Sequence, residues 1–173
     1  MDTTPRTSDL VNIFMADDCP GNRTLIKCAL EDLFDEFTAS KTTLYSQKPL
    51  VNYQGTLEGH KYSVVVAEDG RLSYDILINQ GHASFFDLNI LDNDMPGYSG
   101  LEIITTLKER KLDFPGKNIL FTSNDCPLLK AKLLASGGAY YTKPTDLADF
   151  NDVVHFLVGI TPHYVAKSRE GNC

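Results

Sequence analysis

Apolar residues gather along the chain into five short runs bounded by polar turn formers: "LVNIFMA" (10–16), "YSVVVA" (62–67), "FFDLNIL" (85–91), "KNILFT" (117–122) and "AYYT" (139–142). Runs this short and this rich in β-branched and aromatic residues predict strands buried on both faces. Between them the spacing becomes helical. Leu25, Cys28, Ala29, Leu33 and Phe37 mark one face of a first helix, and Leu101, Ile104 and Leu107 a face of the third. "PLLKAKLLASGG" predicts a helix closed by Gly137 and Gly138. "TDLADFNDVVHFLVGI" predicts a last helix capped by Thr145 or Asp146, with Phe150, Val153, Val154 and Leu157 turned inward.

Strand and helix thus alternate five times, the pattern of an α/β fold with a parallel sheet covered on both faces. One stretch breaks the rhythm. From about 38 to 61, "TASKTTLYSQKPLVNYQGTLEGHK" separates the first helix from the second strand, far longer than such connections usually run. Tyr53-Gln54-Gly55 and Glu58-Gly59-His60 would flank a turn in an extra hairpin. In a βα unit the helix ends opposite the carboxyl edge of the sheet. The insertion is therefore expected to emerge far from that edge and to extend or cover the side of the sheet. Either a surface for a partner or for self-association, or passive protection of that edge, is expected there.

The 173 residues fit one domain, and the apolar fraction of 42% is that of an ordinary globular protein. A formal net charge of −7 argues against general nucleic-acid binding, which needs a basic surface. "MDTTPRTSD" lacks the apolar core of a secretion signal, and no run is long enough for membrane insertion. Cys19, Cys28, Cys126 and Cys173 are scattered without a pairing pattern, and His60, His82, His155 and His163 without metal-ligand spacing. The expectation is a reduced, cytoplasmic protein.

Chemistry-bearing residues fall at the carboxyl ends of the expected strands, where open parallel sheets bind ligands. Asp17 and Asp18 follow the first strand, Asp92 the third, Thr122 and Ser123 the fourth, and Lys143 the fifth. Three clustered carboxylates and one lysine carry −3 + 1 = −2 if all are ionised. Like charges that close oppose one another's ionisation unless a cation compensates. A divalent ion with oxygen ligands, Mg²⁺, suits such a site. Mg²⁺, a lysine and a hydroxyl around a carboxylate are built to stabilise a phosphoryl group in transit, with Asp92 attacking phosphorus to give an acyl phosphate.

"MADD", "LDNDMPGYSGLE", "LFTS" and "YYTKP" together resemble the receiver domains of two-component response regulators, over residues 9–158 apart from the insertion. The resemblance implies a flavodoxin-like (βα)5 fold, a five-stranded doubly wound sheet of order 2-1-3-4-5. It makes Asp17 and Asp18 the acidic metal-binding pair and Asp92 the phosphoacceptor, with the backbone carbonyl of Asp94 completing the Mg²⁺ sphere. It makes Thr122 the switch hydroxyl, Lys143 the phosphate-pairing lysine and Tyr140 the aromatic switch. Asp94 and Asn124 take the positions that tune phosphoryl lifetime. A histidine kinase or histidine phosphotransfer protein would be the donor, and a downstream protein target the recipient of the signal, in a relay or as an effector. The chain would be a phosphoacceptor with autophosphorylation and autodephosphorylation chemistry, not an enzyme acting on a separate substrate. The short tail 159–173 leads to the expectation of a stand-alone receiver without an output domain.

Blander readings exist for each residue: Asp17 and Asp18 as helix caps, Asp92 as a turn residue, Thr122 as a strand end, Tyr140 as core. Two other functions compete. "LDNDM" also looks like the D-x-D of haloacid-dehalogenase-type phosphohydrolases, with Asp94 as acid/base, although that motif normally ends a first strand. A pseudo-receiver acting only as an interaction module is the other.

Overall fold

A computed structural model of the chain describes residues 10–112, 117–159 and 161. The elements run β1 (Leu10–Ala16), α1 (Pro20–Leu33), β2 (Asp35–Thr42), β3 (Leu50–Leu57), β4 (His60–Ala67) and α2 (Gly70–Tyr74). They continue with β5 (Leu88–Leu91), α3 (Gly100–Glu109), β6 (Lys117–Thr122), α4 (Pro127–Ala135), β7 (Ala139–Thr142) and α5 (Leu147–Gly159). One sheet of order β2-β3-β4-β1-β5-β6-β7 holds all seven strands. Its last five strands, β4-β1-β5-β6-β7, are parallel neighbours and reproduce the expected 2-1-3-4-5 order.

The pleat of the central strands divides the core. In β1, Ile13 and Met15 face α1 and α5 and pack with Ile26, Leu30, Phe150 and Val154. Phe14 and Ala16 face the other way and pack with Ile76, Ile103, Leu107 and Leu133 beneath α2, α3 and α4. A strand that must bury both faces reads as continuous apolar sequence, as β5 does with all four residues buried. The helix ends follow the expected chemistry. The Asp146 carboxylate accepts the Ala148 N–H at 2.8 Å at the start of α5. At the end of α4, Gly137 and Gly138 N–H groups donate to Leu134 and Leu133, the paired bonds of a Schellman motif.

Three local expectations change. The strand drawn at 85–91 begins at Leu88, because His82–Phe85 forms a 3₁₀ turn that leaves Phe85 45% exposed while burying Phe86. The first helix ends at Leu33, so Phe37, expected on its apolar face, lies in β2; further on, a π-helical turn, Asp75–Asn79, extends α2 and buries Ile76, Leu77 and Ile78. Tyr53-Gln54-Gly55 lies within β3, not beside a turn; the chain reverses at Glu58-Gly59, with φ of 49° and 81°. Two successive positive φ angles are those of a type I′ hairpin turn.

The insertion is an antiparallel extension of the sheet. β3 pairs with β4, and β2 pairs with β3 and forms the new edge. This edge is interrupted by a register shift between Asp35 and Thr38 and carries exposed Glu36 and Lys41, features that discourage further strand pairing. One expectation about it is overturned. The segment does leave α1 at the far end, but β2 then climbs the full height of the sheet. Thr42 pairs with Leu50, Val51 with Val66, and Ala67 with Ala16, so the β2–β3 turn (43–49) lies level with Asp17. The insertion therefore returns to the edge it was expected to avoid.

Among the described residues no helix is long and apolar enough to cross a membrane. The expected tail, His163 and Cys173 lie outside the described residues, apart from positions 159 and 161 of that tail.

Candidate functional site

The parallel ladder fixes where the acids emerge. Ala16 pairs with both Ala67 and Leu91, so the residues after β1, β4 and β5 leave the sheet side by side. Backbone pairing continues one step further: the Asp17 N–H donates to Ala67 O at 3.2 Å and the Asp92 N–H to Ala16 O at 2.9 Å. Both side chains are therefore carried on backbone with no slack. Asp17 is 2% exposed and Asp92 7%.

Lys143 joins them. It follows β7, and its N–H donates to Thr122 O at 2.9 Å, which extends the β6–β7 ladder as far as the site. Its buried ammonium lies 2.7 Å from Asp17 Oδ2 and 2.9 Å from Asp92 Oδ2. Ion pairs sequestered like this need further hydrogen bonds to offset desolvation. Asp17 has them: Cys19 N–H donates to Oδ1 at 3.0 Å and Asn22 Nδ2 lies 3.2 Å from each oxygen. The Arg23 guanidinium donates to the Asp17 carbonyl at 2.8 Å. Asn22 and Arg23 carry no motif that marks them. Their signal is position, in the first turn of the helix that begins three residues after Asp17.

Asp18 completes an acidic group. Carboxylate oxygens of Asp17, Asp18 and Asp92 all lie within 4.8 Å of one another, the first and last buried and Asp18 half-buried at the mouth. Lys143 neutralises one of three charges, so the donor set fits a hard divalent cation. Asp94 is exposed, and its carboxylate is not among the three. It accepts a long contact of 3.4 Å from Thr122 Oγ1 instead.

Thr122 is fully buried, and its Oγ1 also accepts the Asn124 N–H at 3.2 Å. Of the two, the contact to Asp94 is long for a hydroxyl donor, so that bond is weak. Tyr140 is half-buried against the α2–α4 side of the core, with its hydroxyl donating to the Asn124 carbonyl and the Lys130 ammonium 4.9 Å from its ring centroid. Beyond Asp17, the Lys48 ammonium of the β2–β3 turn donates to Glu68. That bond raises the Lys48 pKa above the ordinary lysine value. Asp17, Asp18, Asp92 and Lys143 thus meet at one end of the sheet, Thr122 reaches Asp94 there, and Tyr140 joins only through Asn124.

The family model described as a response regulator receiver domain matches residues 46–155. The chain belongs to the response regulator receiver family. It is thus a receiver domain of two-component signalling, whose matched segment starts within the insertion and includes Asp92, Thr122 and Lys143. Structures agree on the fold. The phosphorylated cyanobacterial phytochrome response regulator RcpA is similar with a TM-score of 0.63 at 19% identity, over 87% of this chain and 92% of that one. The Mn²⁺-bound form of response regulator Rcp1 gives 0.61 at 16%, over 87% and 91%. A CheY-like receiver domain protein from Methanospirillum hungatei gives 0.57 at 22%, over 93% and 98%. No curated protein matches the chain. β1, which leads into Asp17 and Asp18, lies ahead of the matched segment.

Proposed function

We propose that this receiver accepts a phosphoryl group on Asp92 from a histidine kinase or histidine phosphotransfer protein and signals through it to a downstream protein. The observation that carries this reading is the buried Lys143 ammonium shared between Asp17 and Asp92. A turn acid or a helix cap needs no buried cation between two strand ends.

An Asp92 oxygen forms the new bond to phosphorus while the bond from phosphorus to the donor breaks. The electron pair leaves with the donor, an imidazole nitrogen that then takes a proton from solvent, or acetate when the donor is acetyl phosphate. Asp17, Asp18 and Asp92, with the Asp94 carbonyl, would hold Mg²⁺, which when bound offsets charge on the phosphoryl oxygens. Lys143, already 2.9 Å from Asp92, pairs with one of those oxygens as the carboxylate charge moves outward. Thr122 leaves its 3.4 Å contact with Asp94 and donates to another. Tyr140, freed from Asn124, turns inward, and the α4–β7–α5 face repacks. This is a local charge event that biases two arrangements of one surface. Attack by water on phosphorus restores the Asp92 carboxylate and releases phosphate, with exposed Asp94 and Asn124 beside its path.

Intact-mass spectrometry after incubation with Mg²⁺ and acetyl phosphate tests this directly. One added phosphoryl group, absent in Asp92→Asn, is the expected result. Steady phosphate release without any adduct, lost in Asp94→Asn, would instead favour hydrolase chemistry.

A further inference from the structure

The insertion tip lies beside the site, and a groove there is lined largely by residues outside the acidic cluster and its lysine. Arg23 of α1, Lys48, Pro49 and Val51 of the β2–β3 turn and strand, Glu68 after β4 and Leu72 of α2 line it. The floor is apolar and the rim charged. We propose that this groove recognises the protein that delivers the phosphoryl group, with Lys48 pairing with a carboxylate on that donor. The proposal rests on the receiver reading above and adds a specificity surface to it.

Size argues for it first. Lys48 sits on Glu68 at the end of β4, two strand spacings from β5 and Asp92, or about 10 Å. A specific protein interface covers roughly 800 Å² of each partner, a patch about 30 Å across. A protein that brings a phosphohistidine onto Asp92 therefore covers Lys48 unless its whole footprint lies to one side.

Charge argues for it second. The donor's reacting group is an anion, and it approaches a rim bearing Asp17, Asp18, Asp92 and Asp94. Lys143 is buried and committed to two of them. Exposed Lys48, and half-buried Arg23 on the Asp17 carbonyl, put positive charge beside this rim. The Lys48–Glu68 pair is exposed, with side-chain accessibilities of 56% and 46%, and such pairs contribute little to stability. Lys48 can therefore exchange Glu68 for a donor carboxylate at small cost.

The test compares two kinds of donor. Lys48→Glu and Lys48→Ala are phosphorylated by acetyl phosphate, and separately by each histidine kinase and phosphotransfer protein of the same genome, loaded beforehand with radioactive phosphate. The fastest protein donor is expected to transfer about tenfold more slowly to Lys48→Glu, with Lys48→Ala between, and the deficit to shrink at high salt. Rates with acetyl phosphate and the melting temperature should not change. Equal slowing with both donor types, or none with either, overturns the proposal, as does acetyl phosphate labelling with no protein donor active. A change in sedimentation of the free variant with normal transfer assigns the turn to self-association and also overturns it. If neither donor type labels the wild type, the receiver reading falls and takes the proposal with it.

Discussion

Gly100 stands directly beneath Asp92: a Cβ on Gly100 would lie 2.4 Å from the Asp92 carbonyl oxygen and 2.6 Å from Leu120 Cδ1. The first residue of α3 thereby sets the height at which β5 presents its carboxylate. Alanine there must push backbone, because the nearer atom is not a flexible side-chain end. Gly100→Ala is expected to destabilise the fold by about 1–3 kcal/mol, the range for overpacking, despite alanine's better helix propensity. It should also slow phosphorylation of Asp92 by acetyl phosphate. Urea unfolding and intact mass report the two effects.

Removing the buried ammonium has a different signature. Lys143→Met keeps the packing volume but leaves Asp17 and Asp92 facing each other without their shared cation. Breaking a buried pair in this way costs about 3–5 kcal/mol, so the variant should melt well below the wild type without divalent ions. Addition of Mg²⁺ should raise its melting temperature more than it raises that of the wild type. Differential scanning calorimetry with and without Mg²⁺ checks both.

The start of α3 makes a stability prediction with a pH sign. Ser99 caps the helix, and the Ser99 N–H and hydroxyl donate to Glu102, each at 2.8 Å. The backbone bond first, and the hydroxyl second, hold the Glu102 carboxyl below its ordinary pKa of 4.5. A depressed carboxyl contributes stability that is present above its unfolded pKa and lost as pH falls through the folded one. Ser99→Ala should therefore cost about 1 kcal/mol at pH 7, the usual worth of such a cap. The gap from wild type should narrow below about pH 4. Urea midpoints at both pH values decide it.

Asn89 and Asn118, paired in register on β5 and β6, share a buried hydrogen bond of 2.9 Å. Removing one partner strands the other's amide in the core. Asn118→Leu alone should cost about 1–3 kcal/mol, while Asn89→Leu with Asn118→Leu should recover much of the loss. A double-mutant cycle by urea unfolding measures the coupling.

Residues whose placement follows from a strand end are legible in the sequence alone. Asp17, Asp18, Asp92, Thr122 and Lys143 each follow or end an apolar run, and parallel strands can only deliver those ends to one edge. Residues whose role follows from register are not. Asn89 interrupts an otherwise largely apolar run, and only its pairing with Asn118 explains it. Gly55 reads as a turn former, yet it lies mid-strand because a Cβ there would come 2.4 Å from that of Phe34. Phe85 and Phe86 read as strand because a 3₁₀ turn ahead of a buried strand has the same local composition. The placement of the insertion failed for a related reason. The side of the sheet from which it leaves follows from the βα rule, but α1 stops at Leu33 and Phe37 lies in β2, and the height of the turn depends on β2 being a full-length strand, which the polar sequence "DEFTASKT" does not advertise.

The β2–β3–β4 meander also bears on how the chain acquires its shape. Every other strand pair in this sheet is parallel and joins segments separated by at least a whole helix or long loop, so it must wait for closure of a long stretch of chain. β3 and β4 are joined by two residues, and hairpins of this kind close in about 1–10 μs. The inserted strands give β4 a local partner before β1 arrives. What is an appendage in the finished sheet is, during folding, a template on which its first non-local pairing can be laid.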